Sequence, residues 1–100
     1  MRVAVIGAGI SGLAAAWHIR RLSEAAGFRT DISVFEKSAL PGGKIGTSKQ
    51  EGYLLEAGPN GFLDGKKAAL ELASSLGLEG RLERADRSSA RRYIYDGRRL

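Results

Sequence analysis

The residues best placed to do chemistry are three glycines near the start of the chain, in the run Gly7-Ala8-Gly9-Ile10-Ser11-Gly12. Just before them stand Arg2, Val3, Ala4, Val5 and Ile6, an apolar run with β-branched residues that reads as a fully buried parallel strand. A helical pattern follows at once. Each glycine has its own physical task. Gly7 permits the tight turn off the strand, Gly9 has no Cβ and lets a pyrophosphate sit against the backbone, and Gly12 lets the helix pack closely on the sheet. The free N–H groups of the first helical turn, together with the helix dipole, then face an anion. Glycines at this spacing also mark ordinary turns. Placed between a strand and a helix, they read as a nucleotide-binding turn.

The helix is expected over residues 11–26, with Ile10, Leu13, Ala14, Trp17 and the aliphatic stem of Arg21 on its covered face. Gly27 is its expected stop. Residues 31–36, Asp-Ile-Ser-Val-Phe-Glu, form the second strand and complete a βαβ unit. Glu36 closes that strand, twenty-four residues after Gly12. In such a unit this position overhangs the nucleotide ribose, where a carboxylate accepts from the hydroxyls and repels a 2′-phosphate. NADP is therefore disfavoured even with Lys37 adjacent. His18 is the only histidine and has no carboxylate at helical spacing, so it reads as a surface or packing residue.

Beyond Glu36 comes Leu40-Pro41-Gly42-Gly43-Lys44-Ile45-Gly46-Thr47, too rich in glycine and proline for a regular element. Two readings stand side by side: a second backbone approach to the same dinucleotide with Lys44 as a nearby cation, or an ordinary turn into a short strand. Residues 53–56 read as a short strand, and Ala57-Gly58-Pro59-Asn60-Gly61 as a compact turn. Asp64 is expected to cap a helix reaching residue 76, with Ala69, Leu72, Ala73 and Leu76 buried and Gly77 as its stop. Residues 78–89 read as a polar connection. Arg92-Tyr93-Ile94-Tyr95 with Asp96-Gly97 reads as a hairpin whose return strand is cut short. The chain is accordingly expected to be the N-terminal piece of a longer protein, with a core smaller than its length implies.

The net charge of +5 invites a nucleic-acid reading. Its distribution argues against one, because residues 81–100 hold seven arginines interspersed with Glu83, Asp86 and Asp96 and carry +4 of it. A solvated face, or one that meets further chain, fits that pattern better than anionic lipid does. The aromatic-basic interleaving of a nucleic-acid platform is missing from the sequence. With no cysteine in the sequence, disulfides and thiolate metal sites are excluded. No apolar run reaches the ~18 residues of a spanning helix. A cytoplasmic location is expected, with peripheral membrane association and oligomeric state left open.

Three segments, VAVIGAGISGLAAAW, VFEKSALPGGKIGTS and GYLLEAGPNGFLDGK, in that order, resemble the flavin-dependent amine-oxidase superfamily. Within it the chain looks most like the FAD-dependent protoporphyrinogen and coproporphyrinogen oxidases of haem biosynthesis. The third segment, with LGLEGRL and RRYIY after it, carries the narrower likeness. The resemblance implies an α/β fold, a Rossmann-like FAD-binding βαβ unit forming the N-terminal part of a larger FAD/NAD(P)-binding domain. The substrate domain and the C-terminal FAD segment would lie outside residues 1–100. It implies that Gly7, Ala8, Gly9, Ile10, Ser11 and Gly12 hold the FAD pyrophosphate, that Glu36 binds the adenosine ribose and that Lys37 flanks it. It implies a second FAD loop at Gly42, Gly43 and Lys44 with Thr47 just beyond, and an approach of Gly58, Pro59, Asn60 and Gly61 to the flavin ring. Lys44 stands where many members have Arg, turning a bidentate contact into a point charge, and Gly61 stands where relatives often have Ser. The implied reaction oxidises a porphyrinogen to the porphyrin with oxygen as acceptor, and no catalytic side chain or metal ligand falls within this chain. The alternatives are another flavin oxidoreductase of the superfamily, of amine oxidase or carotenoid desaturase type, and a non-catalytic nucleotide-binding domain.

Overall fold

A computed structural model describes residues 1–63, 65–87, 97 and 98. The chain divides into two units, Met1–Lys66 and Lys67–Leu100. In the first, strand β1 (Arg2–Ile6) leads through the glycine turn into helix α1 (Ile10–Ala25), which returns the chain to strand β2 (Asp31–Phe35). The two strands pair in parallel, from Arg2 opposite Asp31 to Ile6 opposite Phe35. The ladder extends past both ends, since the Gly7 N–H donates to the Phe35 carbonyl at 2.7 Å and the Asp31 N–H to the Met1 carbonyl at 2.9 Å. This is the expected βαβ unit, with helix bounds one residue from those read in the sequence.

Helix α1 stops where Gly27 was expected to stop it. The Phe28 N–H reaches back to the Ser23 carbonyl at 2.8 Å and the Gly27 N–H to the Glu24 carbonyl at 3.1 Å, the paired bonds of a Schellman motif. Buried Ser23 is tied in place: its hydroxyl donates to the Ile19 carbonyl at 2.7 Å and accepts from the Thr30 hydroxyl at 2.9 Å.

Two burial expectations need correction. Strand β1 is not covered on both faces; Val3 and Val5 are half-buried while Ala4 and Ile6 are exposed, Ile6 to 81%. From Val3 to Ile6 no polar residue marks which face is covered, and the alternation arises because α1 packs on one side only among the described residues. The covered stripe of α1 is also displaced. Gly12, Ala14, Ala16, Trp17 and Ile19 are half-buried and Ser23 is buried, whereas Ile10, Leu13 and Arg21 are exposed. The helix sits closest through its small residues, because Gly12 admits a backbone approach that a larger residue would block. Arg21 instead stands over the Trp17 ring, 6.0 Å from its centroid.

The glycine-rich segment after β2 leads into a hairpin of β3 (Thr47–Gln50) and β4 (Tyr53–Glu56), antiparallel with Thr47 opposite Glu56 and Gln50 opposite Tyr53. A short strand at β3 is one of the two outcomes that the glycine-rich loop allows. The turn residues Glu51 and Gly52 have φ of 48° and 86°, the left-handed pair of a type I′ turn. Such a turn twists its flanking strands in the sense that a hairpin needs.

The second unit begins with helix α2 (Lys67–Ser75), closed by Gly77 as expected; the Leu78 N–H bonds to the Ala73 carbonyl at 2.9 Å and the Gly77 N–H to the Ser74 carbonyl at 2.9 Å. Ala69, Leu72 and Ala73 are covered, but Leu76 is 45% exposed. Leu78 is half-buried in its stead, because the helix stop turns the chain back and presents the residue after the glycine to the last helical turns. A 3-10 turn, Glu79–Arg81, interrupts the stretch expected to be plain connection. The Asp64 cap and the Arg92 to Asp96 hairpin strand lie outside the described residues. Among those described, no helix is long and apolar enough to cross a membrane.

Candidate functional site

The site is assembled at the carboxyl ends of β1 and β2, where the first glycine turn enters α1. The first intrahelical bond runs from the Leu13 N–H to the Gly9 carbonyl at 3.0 Å. By helix geometry the N–H groups of Ile10, Ser11 and Gly12 therefore have no intrahelical acceptor. Helix α1 has neither a side-chain N-cap nor an acidic residue in its first turn, so its positive end is not neutralised from within the helix. A Cβ on Gly12 would collide with the Gly7 carbonyl oxygen and come within 3.5 Å of Val5 Cγ1. The close helix–sheet packing expected of Gly12 is thus present, and it is enforced chiefly by the backbone of the turn itself.

Glu36 stands beside this turn. Its Oε2 accepts from the Ala8 N–H at 2.7 Å and its Oε1 from the Ser38 N–H at 2.9 Å. The carboxylate thus ties the first glycine turn to the end of β2, a link that its spacing along the chain did not reveal. These two N–H donors, Ser38 first and Ala8 next, outweigh the cost of partial desolvation and hold the carboxyl below its ordinary pKa. A lowered folded-state pKa stabilises the fold above the ordinary carboxylate pKa, and that stabilisation is lost as pH falls through the lowered value. The Ala8 amide resonance is therefore expected to titrate below the ordinary carboxylate range in wild type and to stay flat in Glu36→Gln. Titration at the ordinary pKa, or an identical profile in the variant, would show that the carboxylate is not seated on that N–H.

The second glycine segment docks on the first. Gly42 forms a parallel bridge with Gly9, and its N–H donates to the Ala8 carbonyl at 2.8 Å. A Cβ on Gly43 would lie 3.1 Å from Gly9 Cα, and one on Gly9 would lie 4.0 Å from Gly43 Cα. With φ of 119° and 62°, Gly42 and Gly43 also hold conformations that side-chain-bearing residues rarely adopt. The bare Cα of Gly9 thus admits the neighbouring loop, a purpose its place in the sequence did not reveal. The third segment joins through Gly58, whose added Cβ would strike the Lys44 carbonyl, and through the Ala57 N–H, which donates to the Gly46 carbonyl at 2.8 Å.

The structure therefore brings residues 7–12, Glu36, Gly42, Gly43, Lys44 and Gly58 into one contiguous backbone arrangement. Lys37 is exposed beside it, and Pro59, Asn60 and Gly61 run on from Gly58 as exposed chain. The Thr47 hydroxyl donates to Glu56 Oε2 at 2.7 Å across the β3–β4 ladder. Counting outward from the Glu51-Gly52 turn would have placed that pair opposite one another. A Cβ on Gly61 meets nothing within 4 Å, so no packing among the described residues demands glycine there.

A parallel βαβ unit whose helix carries no acid in its first turn behind a glycine turn, with a carboxylate fixed at the end of its second strand, is a dinucleotide-binding unit of the Rossmann type. The model of the flavin containing amine oxidoreductases matches residues 10–100, and the chain belongs to that family. It is 43% identical over 77 residues to a coproporphyrinogen III oxidase of Bacillus subtilis (strain 168), covering 77% of this chain and 16% of that one. Identity to a mitochondrial protoporphyrinogen oxidase of Nicotiana tabacum is 36% over 93 residues, 93% of this chain and 17% of the other. The structure of a putrescine oxidase bound to putrescine superposes with a TM-score of 0.63 at 34% identity, over 77% of this chain and 16% of that one. The chain thus spans about a sixth of the length of the relatives it matches.

The dinucleotide of this family is a flavin one, FAD. The residues present fit it. Uncommitted N–H donors at the start of α1 suit a pyrophosphate. Each Glu36 oxygen, having accepted one backbone bond, retains a lone pair for a ribose hydroxyl.

Proposed function

We propose that this chain is the FAD-binding part of an oxidase that converts a porphyrinogen, protoporphyrinogen IX or coproporphyrinogen III, to the porphyrin with oxygen as acceptor. The observation that carries the substrate class is the 43% identity, over 77 residues, to the coproporphyrinogen III oxidase. When bound, FAD supplies the electron acceptor, and the protein's part is to position it and exclude competing reactions. Residues 7–12 receive the pyrophosphate on the α1 amides, with the Ser11 hydroxyl as an added donor. Glu36 receives the adenosine ribose and keeps the Ala8 amide in place. Gly42, Gly43 and Lys44 bring a second backbone segment and a cation to the same group, with Lys37 and Thr47 at its margins, while residues 58–61 extend toward the isoalloxazine ring. None of these side chains exchanges protons or electrons with substrate in this reading, and the substrate pocket belongs to other parts of the protein.

The full-length protein is expected to purify yellow and to release fluorescent porphyrin from a porphyrinogen under air. The likeness to putrescine oxidase favours a second reading, an amine oxidase. Turnover of amines with no porphyrin formed would move the assignment there. A flavin that stays oxidised with every substrate offered anaerobically would instead point to a non-catalytic domain.

A further inference from the structure

We propose that Gly58 is a positioning residue for Lys44, holding the peptide from which that cation reaches the cofactor phosphates; this rests on the FAD-binding reading above. Gly58 lies outside the left-handed region, so no positive φ calls for glycine there. What requires glycine there is space. A Cβ at position 58 would strike the Lys44 carbonyl oxygen, come within 3.0 Å of the Lys44 carbonyl carbon and lie 3.8 Å from the Ile45 nitrogen. One residue earlier the Ala57 N–H is bonded to the Gly46 carbonyl, so the turn bears on the second loop at both of these points. On its other flank the same loop is seated on the first glycine turn through Gly42 and Gly43. Lys44 is therefore rooted in backbone clamped from two sides. A lysine is a flexible point charge, and fixing its root is the means available to the fold for restricting where that charge goes. Gly58 itself touches no phosphate; it acts through the Lys44 peptide.

The test is a double-mutant cycle on the full-length protein, reading the FAD dissociation constant across a salt series. Lys44→Met should raise the constant about threefold or more and flatten its salt dependence. Gly58→Ala should do the same in wild type but raise the constant by a clearly smaller factor in the Lys44→Met background, the signature of two coupled residues. Purely structural damage would instead multiply the constant by the same factor in both backgrounds and leave the salt slope intact, which would overturn the proposal. An unchanged constant in Lys44→Met would overturn it too, yet leave FAD binding by the wild type standing. A wild type that takes up no FAD defeats both readings. If Gly58→Ala does not fold, Ala57→Pro removes the N–H that docks the turn on Gly46, and the same non-additivity and flattened slope are required of it.

Discussion

Gly12→Ala is expected to lower the stability of the first unit by about 1–3 kcal/mol or more, the scale of overpacking a filled site. The smallest side chain suffices, because the added methyl carbon would collide with the Gly7 carbonyl oxygen and lie 3.1 Å from the carbonyl carbon. No rotamer relieves the collision, since the obstacle is backbone and the intruding atom is the Cβ itself. Relief requires α1 to lift from β1 or the turn to change shape, and either move misplaces the amides of residues 10–12. Against a total of about 5–15 kcal/mol for a domain, the loss is large enough to read in a denaturant midpoint. Flavin content should fall with it. A native midpoint with full flavin occupancy would show that the helix does not approach the strand as described.

Gly9→Val should have the larger effect on cofactor and the smaller one on folding. A Cβ at this position faces Gly43 Cα at 4.0 Å, an ordinary contact, so Gly9→Ala is expected to fold normally. The valine methyls extend about 1.5 Å beyond the Cβ, and those turned toward Gly43 meet it. Because Gly42 is bonded to the Ala8 carbonyl next to this point, separating the loops opens the site along its length. FAD binding is expected to be lost in Gly9→Val, with the unfolding midpoint shifted less than in Gly12→Ala. Unchanged flavin content would refute the close approach of the two loops.

The parts of this fold legible in the sequence are those set by local rules. The glycine turn between strand and helix, the carboxylate at the end of β2 and both helix stops at Gly27 and Gly77 follow from backbone geometry within a few residues, and the structure has them. The Glu51-Gly52 turn was equally local, but glutamate is an uncommon occupant of a left-handed turn position, so the signal there is weak. What the sequence hid is what depends on contacts across the chain. An apolar strand states that it can be covered on both faces, not that it is, and Ile6 and Phe35 remain exposed, the latter to 56%. In α1 the covered stripe follows the small residues that allow approach rather than the largest apolar ones. The candidate site divides the same way. Spacing identified Gly7, Gly9, Gly12 and Glu36. It did not show that Glu36 accepts from the Ala8 amide, nor that residues 42–46 bridge the first turn on one side and the Gly58 turn on the other. Substrate choice has no local signature in these residues, because the role proposed for them is toward a cofactor shared by oxidases of different substrates.

In the proposed function the glycine turn at the start of α1 and the loop docked on it hold FAD together. Amide hydrogen exchange of the full-length protein with and without FAD tests this most directly. Strong protection on FAD addition is expected in residues 7–12 and 42–46 alike, with little change at the β3–β4 turn, residues 50–53. FAD that binds while leaving exchange in both loops unaltered would contradict the account.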